Sequence, residues 1–365
     1  MNIGILGTRG IPNAYGGFEQ FAQYLAKGLV EKGHIVFVYN SSSHPYQEST
    51  WSRVQIIHCN DPENKIGTAG QFIYDYNCLQ DARKRGFDIL LQLGYTSSSI
   101  WYRFWPKKAI NIINMDGLEW KREKYNKLTQ QFLQWAERLA AKHANLLIAD
   151  SIGIKDYIQT KYQKEAVYIP YGADIPESFS DSYQADLSLQ ANQYYLLIAR
   201  MEPENNIEMI IRGYLESGCN YPLIIIGNTQ NKYGRFLFKK YASASVRFPG
   251  SIYDLALINS LRHFSALYFH GHSVGGTNPS LLEAMACRCN IAAHDNVFNK
   301  AILGDDAEFF SNVHEVKKII IQPFQQDVNS QHAQNNIEKI KTIYNWQKIV
   351  DDYENIFLKT CKKTP

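Results

Sequence analysis

The sequence predicts an α/β protein built from two doubly wound domains, each a parallel sheet covered by helices. Short apolar runs alternate with longer segments of helical periodicity, which is typical of βαβ units. The alternation pauses over residues 172–193, where Ser, Asp and Gln are frequent and periodicity is weak. It then resumes, and a length of 365 residues is compatible with two domains of this kind.

In the first half, a buried-strand pattern at Ile3–Leu6 opens the chain. Apolar residues from Phe18 to Leu29 then recur at helical spacing, and Gly33 ends that helix. A clear helical pattern covers Leu128–His143. Further strands are predicted at Ile35–Tyr39, Val54–His58, Ile89–Leu93, Ile110–Ile113, Leu146–Ala149 and Val167–Ile169.

The second half repeats the alternation and ends in a helical tail over Asn329–Leu358. We predict a first domain over 1–175, a linker over 176–193, a second domain over 194–345 and a C-terminal helix over 346–365 able to pack back on the first domain. The two domains are expected to face a central cleft, along the carboxyl ends of their strands. Strands are predicted at Tyr195–Ala199, Leu223–Ile226, Ala266–Phe269 and Ile291–Ala293, and helices at Ile207–Leu215, Leu255–Arg262 and Pro279–Cys287.

Composition and charge exclude several classes of protein. The formal net charge of +3 gives no support for nucleic-acid binding. Residues 1–175 hold 20 basic and 16 acidic residues, an excess compatible with an anionic membrane surface or a phosphorylated acceptor but too small to argue for either alone. The N-terminus does not resemble a signal peptide, no run approaches the ~20 apolar residues of a membrane span, and the six cysteines form no Cys-x-x-Cys pair. We expect a cytoplasmic protein and leave peripheral attachment at the inner face of the membrane open.

The segment Gly275–Ala286 carries the most specific chemistry. A run of turn-forming residues stops at Pro279, which suits the first position of a helix, and a helix-favouring run follows. The free N–H groups of a helix N-terminus form an anion site, and Glu283, about one turn inside, can accept hydrogen bonds from ligand hydroxyls. Phosphate plus vicinal hydroxyls describes a nucleotide, although a plain capped helix would show the same pattern.

Two other loops follow predicted strands. Gly16 and Gly17 precede a helix and would let the backbone approach a ligand closely, or would serve a tight turn. Arg200 ends the first strand of the second domain, where its guanidinium could hold a diphosphate or form an ion pair with Glu202 or Glu204. Asn205 could cap the next helix or bind a phosphate.

Titratable residues follow two more strands. Asp116 could position an acceptor hydroxyl or take its proton, but Asp-Gly is also a common Asx turn. His270 and His272 reach the same expected cleft, where each could touch ligand or be structural. Glu119, Lys121 and Arg122 accompany Asp116 as candidates for the acceptor side, together with Arg9 from the glycine-rich start.

With these residues in view, the chain resembles glycosyltransferases of the GT-B fold, family 4, over nearly its whole length. The similar segments are the glycine-rich start, Tyr168–Asp174, Arg200–Asn206 and Gly275–Ala286. Two stretches, Asp116–Arg122 and His270–Ser280, resemble bacterial rhamnosyltransferases of polysaccharide assembly. The family's two-glutamate motif has an acid where Gly275 stands, and its phosphate turn has a lysine where Asn205 stands.

The resemblance implies a retaining transfer of a hexosyl unit. No metal is expected, because no acidic pair lies at metal-ligand spacing in the expected cleft. The donor would be a nucleotide-sugar, with rhamnose from dTDP-rhamnose as the leading candidate, and the acceptor a saccharide or a lipid-linked sugar. Arg200 would stabilise the leaving diphosphate and Asp116 would serve the acceptor. A sugar-nucleotide 2-epimerase and a non-catalytic nucleotide-sugar-binding subunit are the alternatives. The donor-binding candidates are Gly16, Gly17, Asn205, His272, Gly276, Thr277, Asn278, Ser280, Leu281 and Glu283.

Overall fold

The computed structural model describes residues 1–14, 16–115, 117–122, 125–180, 187–322 and 326–363, without the side chains of 326–329 and 363. Asp116 and part of the predicted linker, 181–186, lie outside these residues. The chain forms two compact units. The first unit contains 1–120, 125–172 and 346–365, and the second contains 121–124 and 173–345. None of the described helices has the length and apolar character needed to cross a membrane.

The first unit is a doubly wound, eight-stranded sheet in the order β3-β4-β2-β1-β5-β6-β7-β8. Its pairs are parallel except for β3 with β4, which form a short antiparallel hairpin. The central strands are almost wholly apolar because helices cover both faces. The strands are β1 Asn2–Leu6, β2 Ile35–Ser41, β3 Thr50–Trp51, β4 Val54–Cys59, β5 Ile89–Leu93, β6 Ile110–Asn114, β7 Leu146–Ala149 and β8 Ala166–Tyr168.

The helices of the first unit include the last helix of the described chain, α13 (Trp346–Lys363), which packs on the first, α1 (Gly17–Glu31). Phe21 of α1 contacts Tyr353 of α13 at a ring distance of 5.3 Å, and Tyr24 stacks on Trp346 at 4.4 Å. Lys32 forms ion pairs with Asp351 and Glu354. The helices are α1 Gly17–Glu31, α2 Glu63–Ile66, α3 Ala69–Ala82, α4 Lys127–His143, α5 Ile152–Tyr162 and α13 Trp346–Lys363, with 3-10 helices at Ser99–Phe104 and Glu119–Lys121.

The second unit is a six-stranded parallel sheet in the order β11-β10-β9-β12-β13-β14. Its core packs α6 and α11 against the sheet through buried Ile207, Ile211, Leu197 and Val316. The strands are β9 Tyr195–Ile198, β10 Leu223–Ile226, β11 Val246–Gly250, β12 Leu267–His270, β13 Ile291–His294 and β14 Glu308–Phe310. The helices are α6 Ile207–Ser217, α7 Lys232–Tyr241, α8 Leu255–His263, α9 Pro279–Ala286, α10 Val297–Leu303, α11 Val313–Ile321 and α12 Gln326–Thr342, with a 3-10 helix at Pro203–Asn205.

The predicted helical tail differs from the observed one. It consists of two helices, α12 and α13, where the helical tail was predicted over Asn329–Leu358 without a stated break; the start of α13 at Trp346 agrees with the predicted C-terminal helix over 346–365. Between them Tyr344 is buried, and its carbonyl accepts a hydrogen bond from Ala173 N at 2.8 Å. At the end of α12 the amides of Ile343 and Tyr344 both bond the Lys339 carbonyl, which closes the last turn of that helix before α13 begins.

Candidate functional site

The candidate site lies in the second unit, where the order of its strands reverses. The first strand of this sheet, β9, has β10 on one side and β12 on the other. In doubly wound sheets, ligands bind outside the carboxyl ends of the strands at such a switch point. The loops that begin after Ile198 and after His270 therefore meet at the place where a ligand is expected.

The loop after β9 presents Arg200. Its side chain is exposed, and within the described residues its guanidinium forms no ion pair with Glu202 or Glu204. The backbone of this turn is fixed from behind, because Asn205 Nδ2 donates to Arg200 O at 2.7 Å. The positive charge of Arg200 thus lies on a loop that a hydrogen bond holds in place, and an anion can reach it from solvent.

The loops after β9 and β12 are joined by hydrogen bonds. Asn205 Oδ1 accepts from His272 Nδ1 at 2.8 Å, and Asn206 Nδ2 donates to Gly271 O at 2.8 Å. Ser273 Oγ also donates to the carbonyl of Glu204 at 2.8 Å. A Cβ at Gly271 would lie 2.0 Å from the Asn205 carbonyl oxygen, so only glycine permits this approach. Asn205 therefore has a role within the protein that its sequence position did not reveal.

His272 is held as a neutral ring. Burial, followed by the positive charges of Arg122 and Arg200, lowers the pKa of His272 to about 4. Because Asn205 uses its Nδ2 group as a donor elsewhere, its Oδ1 must accept, and His272 Nδ1 carries the proton. In this tautomer Nε2 is a hydrogen-bond acceptor at neutral pH, while a hydrogen bond with the Val274 backbone acts on the ring in the opposite direction and raises its pKa.

Gly275 stands at the position where the two-glutamate motif, described above, has an acid. Its φ is +121°, a region that side chains rarely adopt, and a Cβ there would lie 3.3 Å from His272 Nε2. The imidazole thus lies beside the space that a side chain at this position would enter. The structure gives two reasons for glycine here, the backbone conformation and the adjacent ring.

The N-terminus of α9 corrects part of the expected anion site. Asn278 Oδ1 accepts from Ser280 N at 2.9 Å, and Asn278 O accepts from Leu281 N at 3.0 Å. These two amides are therefore already bonded, and a ligand could use them only by displacing the cap. Ser280 Oγ is bonded to the Tyr268 hydroxyl at 2.8 Å, while the Leu281 side chain is buried in the core. Gly276 and Thr277, the other two residues predicted for donor binding in this loop, lie before Asn278, which caps α9.

Glu283 is paired with an arginine that the sequence did not single out. Arg262, in the last turn of α8, has a side chain only 3% exposed, and its Nη2 donates to Glu283 Oε2 at 2.5 Å. The same guanidinium reaches Ser280 Oγ at 3.4 Å and Asn259 Oδ1 at 3.3 Å. Burial is the largest influence and disfavours the charged guanidinium, but the Glu283 carboxylate together with Tyr268, Cys287 and Cys289 more than offsets it, so the pKa of Arg262 is raised. No local sequence pattern marks this pair, because its members lie on different helices.

His270 is buried at the end of β12. Burial, with the charges of His272, His294 and Arg262, lowers the pKa of His270 well below its usual value. Its Nε2 has no hydrogen-bond partner among the described residues. The His270 ring is therefore neutral, and it lies at the carboxyl end of β12, directly before the loop that contains His272.

In the first unit, the glycine-rich start is organised by two acids. Arg9 forms a bidentate ion pair with Glu63, at 2.8 and 3.0 Å, while its backbone N–H donates to the buried Glu19 at 2.9 Å. Gly16 precedes α1 in an extended conformation, with φ −169°, and Gly17 is the first residue of the helix. Gly16 is not required here by a positive φ, which removes the tight-turn explanation for this position.

The acceptor-side candidates fall in both units. Glu119 is half-buried in the first unit, in the 3-10 helix Glu119–Lys121, while Asp116 lies outside the described residues. Lys121 and Arg122 belong to the second unit. The charge of Arg122 acts on His272, so the structure groups Arg122 with the donor candidates rather than with Arg9 and Glu119. In the described part of the chain, no group of three or more His, Cys, Asp or Glu residues could hold a metal ion.

Two sequence comparisons find similarity, one over the first half of the chain and one over most of its length. Residues 1–174 match the profile of a domain of unknown function, DUF1972. The chain is also 24% identical over 276 residues to a protein of Methanocaldococcus jannaschii named uncharacterized glycosyltransferase MJ1069, covering 70% of this chain and 69% of that protein.

Solved structures match the whole chain. Sucrose-phosphate synthase from Thermosynechococcus elongatus has a TM-score of 0.81 at 15% identity and covers 98% of both chains. Anabaena HepE in complex with UDP has a TM-score of 0.74 at 15% identity, over 98% of this chain and 100% of that one. HepE in complex with UDP-glucose has a TM-score of 0.73 at 14% identity, over 98% and 99%. The chain therefore has the GT-B fold of these glycosyltransferases.

Proposed function

We propose that this protein is a glycosyltransferase that moves a hexosyl unit from a nucleotide-sugar donor to a saccharide or lipid-linked acceptor. The observation that carries the proposal is the set of groups at the switch point of the second sheet. Arg200 supplies an exposed positive charge, His272 supplies a neutral ring on the neighbouring loop, and Glu283 supplies a carboxylate on α9. A nucleoside diphosphate needs a cation for its phosphates and an acceptor for its ribose hydroxyls.

The donor class is supported by the similar proteins. HepE has been solved with UDP and with UDP-glucose, and the related M. jannaschii protein carries a glycosyltransferase name. For the finer assignment we propose rhamnose from dTDP-rhamnose, transferred with retention of configuration in cell-surface polysaccharide synthesis. This assignment rests on the resemblance of Asp116–Arg122 and His270–Ser280 to rhamnosyltransferases.

The proposed chemistry centres on the leaving diphosphate. Negative charge builds there as the glycosidic bond breaks, and Arg200 would stabilise it without a metal ion. Glu283, oriented by Arg262, would bind the ribose, and His272 Nε2 would accept a hydrogen bond from the donor. Asp116 remains our proposal for orienting or deprotonating the acceptor hydroxyl.

Donor binding and transfer test this proposal separately. UDP-, dTDP- and GDP-sugars are titrated calorimetrically into the purified protein, and transfer is then measured with the donor that binds. Arg200→Ala is expected to reduce turnover by about 10²–10³-fold, the usual cost of one lost charge-stabilising donor. Arg212→Ala, which removes an exposed arginine from α6, is the matched control and should leave turnover unchanged.

The outcomes separate the candidate functions. Near-normal turnover by Arg200→Ala would remove this residue from the mechanism. Release of a free epimer without acceptor would identify an epimerase instead. Binding without turnover across an acceptor panel would leave a nucleotide-sugar-binding subunit. Preference for UDP over dTDP would overturn the rhamnose assignment while leaving the donor class intact.

A further inference from the structure

Helix α4 of the first unit carries an exposed apolar stripe. Leu128 is 76% exposed and Trp135 is 48% exposed, and both lie on one face with the half-buried Phe132, at spacings of four and three residues. Phe132 contacts Trp135 at a ring distance of 5.7 Å and packs edge-on against Phe72 of α3 at 5.6 Å. The stripe is therefore fixed by packing to the neighbouring helix.

Positive charges adjoin this stripe. Lys127, Arg138 and Lys142 are exposed and lie along one side of α4, next to Trp135 at helical spacing. The only acid of the helix, Glu137, is buried and accepts hydrogen bonds from Tyr157, Lys161 and Tyr162 on the opposite side. The outward face of α4 thus carries cations and no carboxylate.

A further cation lies at the end of the helix. The ring of Tyr102 stacks on His143 at 3.9 Å, which places Arg103 beside the last turn of α4. Burial, with the charges of Lys142 and Arg103, lowers the pKa of His143. The positive potential therefore extends past the helix itself.

Helix α7 of the second unit is also basic and aromatic, but it is arranged differently. Its exposed Phe236 and Phe238 are two residues apart, so they point to different sides of the helix. Lys240 covers the Phe236 ring at 5.2 Å, and Phe238 packs against Phe248 at 5.8 Å. Phe236 stacks instead on the half-buried Tyr233 at 6.1 Å, and the Lys240 that covers it forms an ion pair with Glu208 of α6. The two exposed phenylalanines therefore share no apolar face, and α7 is used as a comparison helix for α4.

We infer that the α4 face, formed by Leu128, Phe132, Trp135 and the adjoining Lys127, Arg138 and Lys142, docks on an anionic membrane surface. Apolar and aromatic side chains would enter the interface between headgroups and acyl chains, while the cations meet lipid phosphates. The charge of the face and its lack of an exposed acid select this partner. The inference deepens the proposed use of a lipid-linked acceptor, but vesicle binding can be measured without transfer.

Co-sedimentation of the full chain with vesicles tests the inference. Vesicles of phosphatidylcholine mixed with phosphatidylglycerol are compared with pure phosphatidylcholine, and the protein is expected to bind only the anionic vesicles. The triple change Lys127→Gln, Arg138→Gln and Lys142→Gln should weaken binding about a hundredfold, at about fivefold per charge. The pair Leu128→Ser and Trp135→Ser should weaken it about tenfold or more.

Variants of α7 are the matched controls. Phe236→Ser and Lys239→Gln remove an exposed aromatic ring and a cation from the comparison helix, and vesicle binding should stay within twofold of the unchanged protein. All variants are first checked for unaltered unfolding curves, which the exposure of the changed side chains predicts.

Three results would overturn the inference. The unchanged protein could fail to bind anionic vesicles, or the α7 variants could weaken binding as much as the α4 variants. Sedimentation velocity without lipid could also show a dimer that Trp135→Ser dissociates, which would make this face a contact between two copies. Calorimetric binding of UDP in the absence of vesicles reports on the proposed function alone, so its success or failure is separate from these results.

Discussion

At the scale of single residues, Gly275 shows why the expected acid is absent. The backbone there has φ +121°, and a Cβ would approach His272 Nε2 to 3.3 Å. A neutral imidazole beside this position provides a hydrogen-bond acceptor, which is one function that a carboxylate would also serve. The absence of the acid therefore coincides with a positive φ at Gly275 and with the His272 imidazole beside it.

This arrangement predicts the effect of restoring the acid. Gly275→Glu should lower the free energy of unfolding by about 1–3 kcal/mol from backbone strain, with a further loss from the contact with His272, and should not raise transfer. Gly33→Glu is the matched control, because Gly33 also has a positive φ but open space around it. Urea unfolding measures both variants. If the two variants lose the same unfolding free energy, backbone strain alone explains the loss at Gly275. A gain in transfer by Gly275→Glu would contradict our interpretation of this glycine.

Arg262 is the residue that could not be found from sequence, because its role depends on a partner 21 positions away. If Arg262 orients Glu283 toward ribose hydroxyls, Arg262→Met should abolish discrimination between UDP and 3′-deoxy-UDP. In the unchanged protein we expect about tenfold discrimination or more, the value of a hydrogen bond to a charged group. Calorimetry measures the two affinities for each protein.

The control for this prediction is Arg212→Met, which removes an exposed arginine from α6. A purely structural role for Arg262 would weaken both nucleotides equally and leave their ratio unchanged. A folded Arg262→Met protein that keeps the ratio would therefore refute the positioning role. Glu283→Gln should lose the same discrimination, and combining it with Arg262→Met should cause no further loss, because the two residues act together.

At the scale of elements, the contact between α1 and α13 depends on one small residue. A Cβ at Gly28 would lie 2.6 Å from a methyl carbon of Val350. Alanine has a higher helix propensity than glycine by about 1 kcal/mol, whereas overpacking costs about 1–3 kcal/mol. The contact is severe enough that we expect the packing cost to exceed the gain in propensity.

Gly28→Ala should therefore destabilise the protein, and the sign should reverse once Val350 is shortened. In a Val350→Ala background, the methyl carbons at 2.6 and 2.8 Å are removed and only the Cβ of residue 350 remains, at 3.2 Å. A small shift of α13 relieves that contact, so the same change should then stabilise by less than about 1 kcal/mol. Urea unfolding of the four proteins in this cycle measures the coupling. Stabilisation by Gly28→Ala in both backgrounds would show that α13 moves away at little cost.

Strong local patterns allowed most elements to be predicted from sequence. The apolar runs of β5 and β10 have the predicted bounds, Ile89–Leu93 and Leu223–Ile226, because burial on both faces gives a continuous signal. The start of α13 at Trp346 agrees with the predicted bound of the C-terminal helix, whereas the end of α12 at Thr342 was not predicted. Strand β3 has only two residues, which are too few to show the alternation or the apolar run that predicts a strand.

The site was predicted in part for the same reason. Loops at the ends of strands identified Arg200 and His272, whose positions follow from topology. The internal roles of Asn205 and Asn278, which bond His272 and cap α9, depend on tertiary geometry. Likewise, Arg122 lies far from Arg200 in sequence, and only the fold shows that both charges act on one histidine.

At the scale of the whole molecule, depressed histidine pKa values make stability depend on pH. Burial is the main cause of the lowered pKa in each of five histidines, and Asp75 opposes them because burial raises its pKa to about 7. In an unfolded chain a histidine titrates near 6.5, so below that pH the unfolded state binds protons that the native state does not. The five histidines are His44, His143, His270, His272 and His294.

The sign of the effect follows from this difference in bound protons. The free energy of unfolding should fall as the pH drops from about 6.5 toward the native pKa of His272, near 4, by up to about 1.4 kcal/mol per pH unit for each fully buried histidine. Protonation of Asp75 in the native state offsets part of this loss below pH 7. Acid sensitivity should therefore begin above the range in which ordinary carboxylates titrate.

Substitution of the site histidines isolates their share of this dependence. His272→Gln and His270→Phe remove the groups that must stay neutral, so each should flatten the plot of unfolding free energy against pH between about 6.5 and 5. Urea unfolding at several pH values, followed through the transition that UDP shifts, measures the slope. His314→Gln is the control, because that side chain is exposed at the start of α11. An unchanged slope in both His272→Gln and His270→Phe would mean that these rings are protonated in the folded protein, and His272 could not then present Nε2 as an acceptor to the donor.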